Sequence, residues 1–169
     1  IKAQGILQPI VARPSSNGDF EILSGERRWR AAQMAGLDRV PVVIKAVTDE
    51  AAIAIGLIEN IQREDLNPVE EGLGLKRLQV EFGFSQEQVA LAVGRSRSAV
   101  ANLLRLLNLE RDVLSMLERG EIDTGHAKVL LALTGGDQVR AAQQVIKRGL
   151  SVRQTEALVR RLSLIHISE

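Results

Sequence analysis

Cysteine is absent, which excludes disulfides, thiolate metal sites and a cysteine nucleophile. Aromatic residues make up only 2% of the chain (Phe20, Trp29, Phe82 and Phe84). So few rings argue against an exposed aromatic sheet on which bases stack. The core must be built from Leu, Ile, Val and Ala, a composition that favours helices. An excess of one charge is also missing. The 22 Lys and Arg face 21 Asp and Glu, so the net charge of +1 gives no global preference for nucleic acid or membrane. No apolar run approaches the ~20 residues that a membrane span requires. No leader segment is visible, and with cysteine absent as well, the expected location is the cytoplasm.

What remains is ordinary for a folded protein. A chain of 169 residues suits one or two small domains, large enough to bury a core without staples. Charged residues at 25% are far from the composition of a disordered tail. The start at Ile1 and the end at Ser163-Leu-Ile-His-Ile-Ser-Glu169 read as a fragment. Residues 163–169 are expected to be an appended apolar tail that does not continue the preceding helix.

Charge is unevenly distributed. Residues 1–60 balance seven basic against seven acidic groups. From Lys128 to Arg161 there are seven basic residues (Lys128, Arg140, Lys147, Arg148, Arg153, Arg160, Arg161) and two acidic ones (Asp137, Glu156). Between Gln88 and Leu109 there are three arginines (Arg95, Arg97, Arg105) and no acid. A basic stripe is the electrostatic footprint of a phosphate-backbone partner, and also the pattern of a solvated helix face.

The pattern predicts an α+β protein: a small α/β lobe over residues 1–64 and an all-helical lobe over 65–162. Strands are expected at Pro9–Arg13, Phe20–Leu23 and Val40–Lys45, with Asn17-Gly18 in a hairpin-like turn. Helices are expected at Glu26–Ala35 and from Asp49 to about Glu64, the second capped by Thr48. Asn67-Pro-Val-Glu70 combines a cap, a proline at the first helical position and a glutamate three residues on. Further helices are expected at Glu110–Arg119, Thr124–Leu133, Gln138–Arg148 and Ser151–Leu162, punctuated by Gly120, Gly135-Gly136 and Gly149.

Three motifs carry chemistry. Ser24-Gly-Glu-Arg-Arg-Trp-Arg30 lies where a strand gives way to a helix. Unpaired N–H groups and the positive dipole end of a helix attract anions, and Gly25 lets the backbone approach a phosphate. Arg27, Arg28 and Arg30 crowd three cations into about one turn, a repulsion that a di- or triphosphate relieves. Spacing alone equally allows three solvated arginines with Trp29 as a core anchor. This is not a Walker loop, because Gly-Lys-Ser/Thr is missing. The second motif, Glu59-Asn-Ile-Gln-Arg63, puts Glu59 and Arg63 four residues apart on one helix face. Spacing favours a surface ion pair. The sharper reading is a magnesium and phosphate site, with Glu59 and Asn60 as oxygen donors and Glu26 positioning water for phosphoanhydride attack.

The third motif is a helix-turn-helix over residues 85–107. Ser85 begins a capping box, Val89, Ala90 and Val93 form an apolar face, and Gly94 makes the turn. Ser96 caps the second helix, which Val100, Leu103, Leu104 and Leu107 are expected to bury. Arg95, Arg97, Ser98 and Asn102 lie in the part that meets base edges in a major groove. Arginine pairs with guanine and asparagine with adenine. A plain helical hairpin is the competing reading, and the acid-free face favours DNA.

In this order the three elements resemble the ParB family of chromosome and plasmid partition proteins, over about residues 4–162. Gly5-Ile-Leu-Gln-Pro-Ile-Val-Ala-Arg13 resembles the family's first box, Gly25-Glu-Arg-Arg-Trp-Arg30 the second and Glu59-Asn-Ile-Gln-Arg63 the third. Gly125-His-Ala-Lys128 and Ser151-Val-Arg-Gln-Thr-Glu156 are also similar, with lysine at 128 where arginine is frequent. The resemblance implies a ParB/sulfiredoxin-like first lobe that binds CTP with Mg2+ and hydrolyses CTP slowly. It also implies closure of a dimer into a clamp that slides on DNA after loading at a palindromic parS site.

By carry-over, Gln8 and Arg13 line the nucleotide pocket and Gly25, Glu26, Arg27, Arg28 and Arg30 surround the phosphates. Asn60 and Glu59 serve the magnesium, Arg63 lies near the triphosphate, and Glu26 and Glu59 serve hydrolysis. The expected DNA contacts are Gln86, Arg95, Ser96, Arg97, Ser98, Asn102, Arg105, His126, Lys128 and Arg153. Family members also carry a C-terminal dimerisation domain and an N-terminal tail that engages a ParA-type ATPase. The expectation is that this stretch lacks both and retains only nucleotide-driven pairing of its first lobes, with a nucleoid-associated location and no membrane partner. Two other readings are a nucleotide-independent helix-turn-helix transcription regulator and a nucleoid-occlusion relative. A sulfiredoxin-type enzyme would need a cysteine, and a nuclease a denser acidic cluster.

Overall fold

A computed structural model of the chain describes residues 8–167. Residues 5–7 of the first box therefore lie outside the described residues. The chain divides into two compact units, Ile1–Gln62 and Arg63–Glu169. Each is built separately from its own sequence pattern.

In the first unit β1 (Ile10–Pro14) pairs antiparallel with β2 (Phe20–Ser24), and β3 (Val42–Ile44) adds to the other side of β1 in parallel. The sheet order is β2-β1-β3. Ala12 faces Ile22 on one side and Ile44 on the other, so the central strand carries the buried Ile10 and Ala12. The hairpin closes with the Ser15 N–H donating to the Asp19 carbonyl at 2.7 Å. The third strand is shorter than the expected 40–45. Pro41 has no N–H to give a ladder, but its carbonyl accepts from Ile10 at 3.0 Å and leads into the strand.

Helix α1 (Glu26–Met34) links β2 to β3, and α2 (Asp49–Ile61) follows the sheet. Thr48 caps α2 by accepting from the Ala51 N–H at 3.1 Å. The helix stops at Ile61, short of Glu64. Residues 62–65 (Gln-Arg-Glu-Asp) are all exposed, so a further turn would bury no apolar surface to offset its ordering entropy. Trp29 is not a core anchor. It stands 38% exposed at the wall of an apolar groove of about 370 Å³ formed with Ile10, Phe20, Ile22, Val42 and Ile44.

The second unit is helical throughout its described residues: α3 (Pro68–Phe82), α4 (Gln86–Val93), α5 (Arg97–Leu106), α6 (Arg111–Glu118), α7 (Thr124–Leu130), α8 (Gly135–Arg148) and α9 (Val152–Ile167). The α+β expectation therefore holds, with the helix-turn-helix formed by α4 and α5. Its core is aliphatic, as the lack of aromatics requires: Leu75, Leu78, Val89, Val100, Leu106, Val113 and Leu130 are fully buried. The close approach of α3 to α5 depends on Gly72. A Cβ there would lie 3.1 Å from the Leu103 carbonyl oxygen and 3.2 Å from the Leu107 side chain.

Four expectations are corrected. On α5 the buried residues are Val100, Leu103 and Leu106, while Leu104 and Leu107 are half-buried. The stripe follows the face toward α3, three residues at a time. Gly135 and Gly136 do not separate α7 from α8; they form the first turn of α8, where the Glu110 carboxylate accepts from the Gly135 N–H at 3.0 Å. Helix α7 stops at Leu130 rather than Leu133. The buried Gln138 amide donates to the Leu130 and Leu133 carbonyls at 3.1 and 2.8 Å, satisfying acceptors that a helix end leaves open. Finally, α9 continues to Ile167 through the segment expected to be a separate tail. No glycine or proline interrupts Ser163–Ile167, so no local breaker stops the helix at Leu162.

Candidate functional site

The strand-to-helix elbow is built on Gly25. Its φ of +98° is a left-handed conformation that costs a side-chain-bearing residue about 1–2 kcal/mol. The space is closed as well: a Cβ would lie 3.3 Å from both Cα and Cγ1 of Ile10. The buried Gly25 N–H donates to both carboxylate oxygens of Glu59, at 3.0 and 3.2 Å. An anionic oxygen pair from α2 thus sits at the N-terminal end of α1, where N–H groups and the helix dipole favour negative charge.

The three arginines are held differently. Arg30 pairs with Glu26 one turn earlier at 2.8 Å. Arg28 donates to the Pro9 carbonyl at 2.8 Å and the Gln8 carbonyl at 3.4 Å. Arg27 is exposed and has no carboxylate partner among the described residues. The repulsion expected from three adjacent cations is therefore partly relieved within the protein. Glu26 and Gln8 are both exposed beside this elbow.

Arg13 is engaged by its own surroundings. Its guanidinium contacts Glu21 at 2.7 Å and Asp49 at 2.8 Å. The Glu21 hydrogen bond, followed by that to Asp49, raises its pKa above the already high ordinary value. No local motif writes the hairpin register that sets Glu21 opposite Arg13, nor the contact of Arg13 with Asp49 at the start of α2. Asn60 is exposed at the end of α2, next to Glu59. Arg63 does not pair with Glu59; it contacts Asp65 at 3.1 Å. Among the described residues, no group of three or more His, Asp or Glu is placed to hold a metal ion by itself.

In the second unit, caps set the ends of the helix-turn-helix. Ser85 and Gln88 form a reciprocal capping box at α4, and Ser96 accepts from the Ala99 N–H at 3.1 Å to start α5. Gly94, with φ of +71°, makes the turn between them. Arg95, Ser96, Ser98, Asn102 and Lys128 line one cleft of about 330 Å³, together with Thr124 and Glu71. Arg105 lines a different cleft, with Asn108 and Glu110. Arg97 and Arg153 are exposed and Gln86 is half-buried, and none of these three lines either cleft.

His126, expected to contact DNA, has its ring occupied. Nε2 lies 2.8 Å from the Leu150 carbonyl oxygen, which can only accept, so Nε2 carries the proton. Nδ1 then accepts from the Asp123 N–H at 3.3 Å, and Asp123 accepts from the His126 N–H at 2.9 Å. The ring caps α7 and ties it to the turn before α9. It has no free nitrogen for a base or a phosphate.

Glu71 was missed. It lies in the apolar register of α3, four and seven residues before Leu75 and Leu78, and is 8% exposed. A carboxylate at a core position of a helix is a signal in itself, since burial demands a cation. Here the cation is Arg95, whose Nη2 is 2.5 Å from Oε1.

The arrangement defines a protein with an anion-accepting elbow in an α/β unit and a capped helix-turn-helix in a helical unit. Comparison with known proteins covers both units. The ParB N-terminal domain family matches residues 1–61, and the ParB HTH domain family matches residues 64–164. The chain belongs to the ParB family. It is 57% identical over 160 residues to a probable chromosome-partitioning protein ParB of Pseudomonas putida, covering 95% of this chain and 55% of that protein. The chromosome-partitioning protein Spo0J of Thermus thermophilus is 51% identical over 164 residues, covering 97% of this chain and 60% of that one. The chain thus spans a little over half the length of these relatives. A crystal structure of C-terminally truncated ParB from Caulobacter crescentus, complexed to the centromeric parS site, matches with a TM-score of 0.85 and 48% identity. That match covers 95% of this chain and 84% of that one. No helix among the described residues is long and apolar enough to cross a membrane.

Proposed function

We propose that this chain is the nucleotide- and DNA-binding part of a chromosome-partitioning protein. Its second unit binds a palindromic parS-type duplex, and its first unit binds CTP with Mg2+. The DNA reading is supported by the capped, acid-free N-terminal half of α5 and by likeness to a relative complexed to parS. Arg95, Ser96, Arg97, Ser98 and Asn102 meet the bases or adjoining phosphates, and Arg105, Lys128 and Arg153 extend the contact along the backbone. His126 acts by positioning α7 rather than by touching DNA.

The observation that carries the nucleotide reading is the Glu59 carboxylate on the Gly25 N–H. That N–H suits an anionic oxygen, and a phosphate there would displace the Glu59 carboxylate that fills it. Arg27, free of carboxylates among the described residues, and Arg28, held only by carbonyls, supply positive charge for the triphosphate, while Arg30, paired with Glu26, enters on the resemblance alone. Gln8 and Arg13 border the nucleotide. The donors fit magnesium: Asn60 and Glu59 offer hard oxygens, and the phosphates complete a shell that the protein alone does not form. Bound there, the ion would neutralise charge on the phosphates. Glu26 and Glu59 orient water for slow hydrolysis to CDP. Arg63, bound to Asp65, enters this scheme on the resemblance alone.

A nucleotide can shift an open–closed equilibrium only through differential affinity for the two states. The γ-phosphate suits such a switch, since its loss removes charge that the arginines had matched. CTP-driven pairing of first units into a DNA clamp, and stimulation of a ParA-type ATPase by the longer protein, extend the same reading. The test is crosslinking of first units carrying an engineered surface cysteine, with and without CTP and parS duplex. CTP-dependent, duplex-stimulated crosslinks are expected. Crosslinking indifferent to CTP, together with intact duplex binding, would favour a nucleotide-independent transcription regulator.

A further inference from the structure

We propose that Glu71 is a specificity-determining residue of the DNA interface: a buried carboxylate that pins Arg95 and keeps it from following any phosphate within reach. The proposal rests on the DNA-binding reading of the second unit.

Glu71 is the only charged residue among the buried positions of this unit's described residues. Its Oε1 has no well-aligned hydrogen bond, and Arg95 Nη2 is its cation. Arg95 immediately precedes Ser96, the cap of α5, so the pinned guanidinium stands at the entrance of the expected reading helix. Its side chain is 47% exposed, and it lines the cleft shared with Ser98, Asn102, Thr124 and Lys128.

Two consequences follow from the chemistry. A guanidinium has five N–H donors in a rigid fork. With one edge fixed by Glu71, the remaining donors have a set position and direction, so only a partner at that position is satisfied. A base edge presented in register meets this demand; a phosphate at arbitrary register does not. The pair is also electrically neutral, so Arg95 adds nothing to the indiscriminate field that Arg97, Arg105 and Lys128 supply. A free arginine would add one phosphate contact, with a salt slope of about 0.9 per contact, or up to about eightfold in affinity at 0.1 M salt.

The experiment measures binding of labelled parS-palindrome and scrambled duplexes by anisotropy across a salt series. It uses the full chain, E71Q, R95Q, the E71Q/R95Q double variant and R95K, with helical circular dichroism recorded for each. E71Q is expected to tighten scrambled-duplex binding severalfold, steepen its salt slope by about 0.9 and reduce discrimination. In the R95Q background the Glu71→Gln change should leave discrimination between the two duplexes unchanged. R95K keeps the charge but loses the fork, so it should also lose discrimination; lying at an exposed position, it tests the idea even if E71Q misfolds. Unchanged affinities and slopes in E71Q, an equal effect with Arg95 removed, or full discrimination in R95K would overturn the proposal. Failure of the unsubstituted chain to bind either duplex would instead overturn the DNA reading, and this proposal with it.

Discussion

Replacing Gly25 with alanine perturbs the elbow at a single atom. The left-handed backbone, with φ of +98°, costs alanine about 1–2 kcal/mol. The new Cβ also meets Cα and Cγ1 of Ile10 at 3.3 Å and Arg28 Nη1 at 3.4 Å. Arg28 can swing away, but Ile10 Cα belongs to the central strand and cannot yield without disturbing both neighbours. Crowding of that kind adds to the backbone cost, for a total of about 2–4 kcal/mol. A unit of ~60 residues has only about 3–5 kcal/mol to lose, so G25A should leave it marginal. Trp29, the only tryptophan, lies in α1 and reports on this unit alone. Helical circular dichroism is dominated by α3 to α9 of the second unit. In urea, the Trp29 transition of G25A should move to much lower denaturant while the helical transition stays in place. A Trp29 transition within about 0.5 kcal/mol of the unsubstituted chain would refute the account of the elbow.

Arg28→Ala should abolish CTP binding by calorimetry while leaving parS affinity nearly intact, because the elbow and the helix-turn-helix lie in different units; equal loss of both would contradict separate sites. Arg97→Ala should weaken parS binding by about 1–3 kcal/mol in anisotropy if it reads a base. If it meets only phosphate, the loss should be the same for every sequence, with a shallower salt slope. Leu106→Ala removes a fully buried side chain of α5 and should cost about 2–5 kcal/mol in the helical transition, without moving the Trp29 signal. Glu81 is held below the ordinary carboxylate range, chiefly by its hydrogen bond from Arg77. Its contribution is therefore present above that range and lost as pH falls through the lowered value. Urea midpoints of the helical transition should lose part of their decline at acid pH in Glu81→Gln.

Local chemistry wrote much of this fold into the chain. Caps at Thr48, Asn67, Ser85 and Ser96 sit where side-chain oxygens accept the N–H groups of a first turn. Such signals act over three or four residues and are readable without tertiary knowledge. Several of the misreadings concern partners distant in sequence. Gly135 begins a helix because Glu110 caps it from 25 residues away. Leu133 lies past the end of α7 because Gln138 has taken the carbonyls there. On α5, Leu106 is buried and Leu104 only half-buried, on a helix that α3 approaches closely at Gly72, 25 or more residues earlier.

The site divides in the same way. The elbow was visible as a strand, a glycine and a cluster of arginines, but the Glu59 carboxylate on the Gly25 N–H joins residues 34 apart. Glu59 looked like a partner for Arg63, four residues on. The sheet-facing turn of α2 instead turns it toward the elbow, and Arg63 pairs with Asp65. His126 is expected at the DNA because Gly125-His-Ala-Lys128 resembles the family's segment after the helix-turn-helix. The hydrogen bond from its ring to the Leu150 carbonyl, 24 residues on, is not legible in that segment.

The central claim is that the elbow holds a pyrimidine triphosphate. Calorimetric titration of CTP with magnesium, in the presence of parS duplex, tests it directly on the unsubstituted chain and on Arg28→Ala. The account predicts saturable heat for the first and none for the second. No heat from the unsubstituted chain, or equal heat from both, would contradict it.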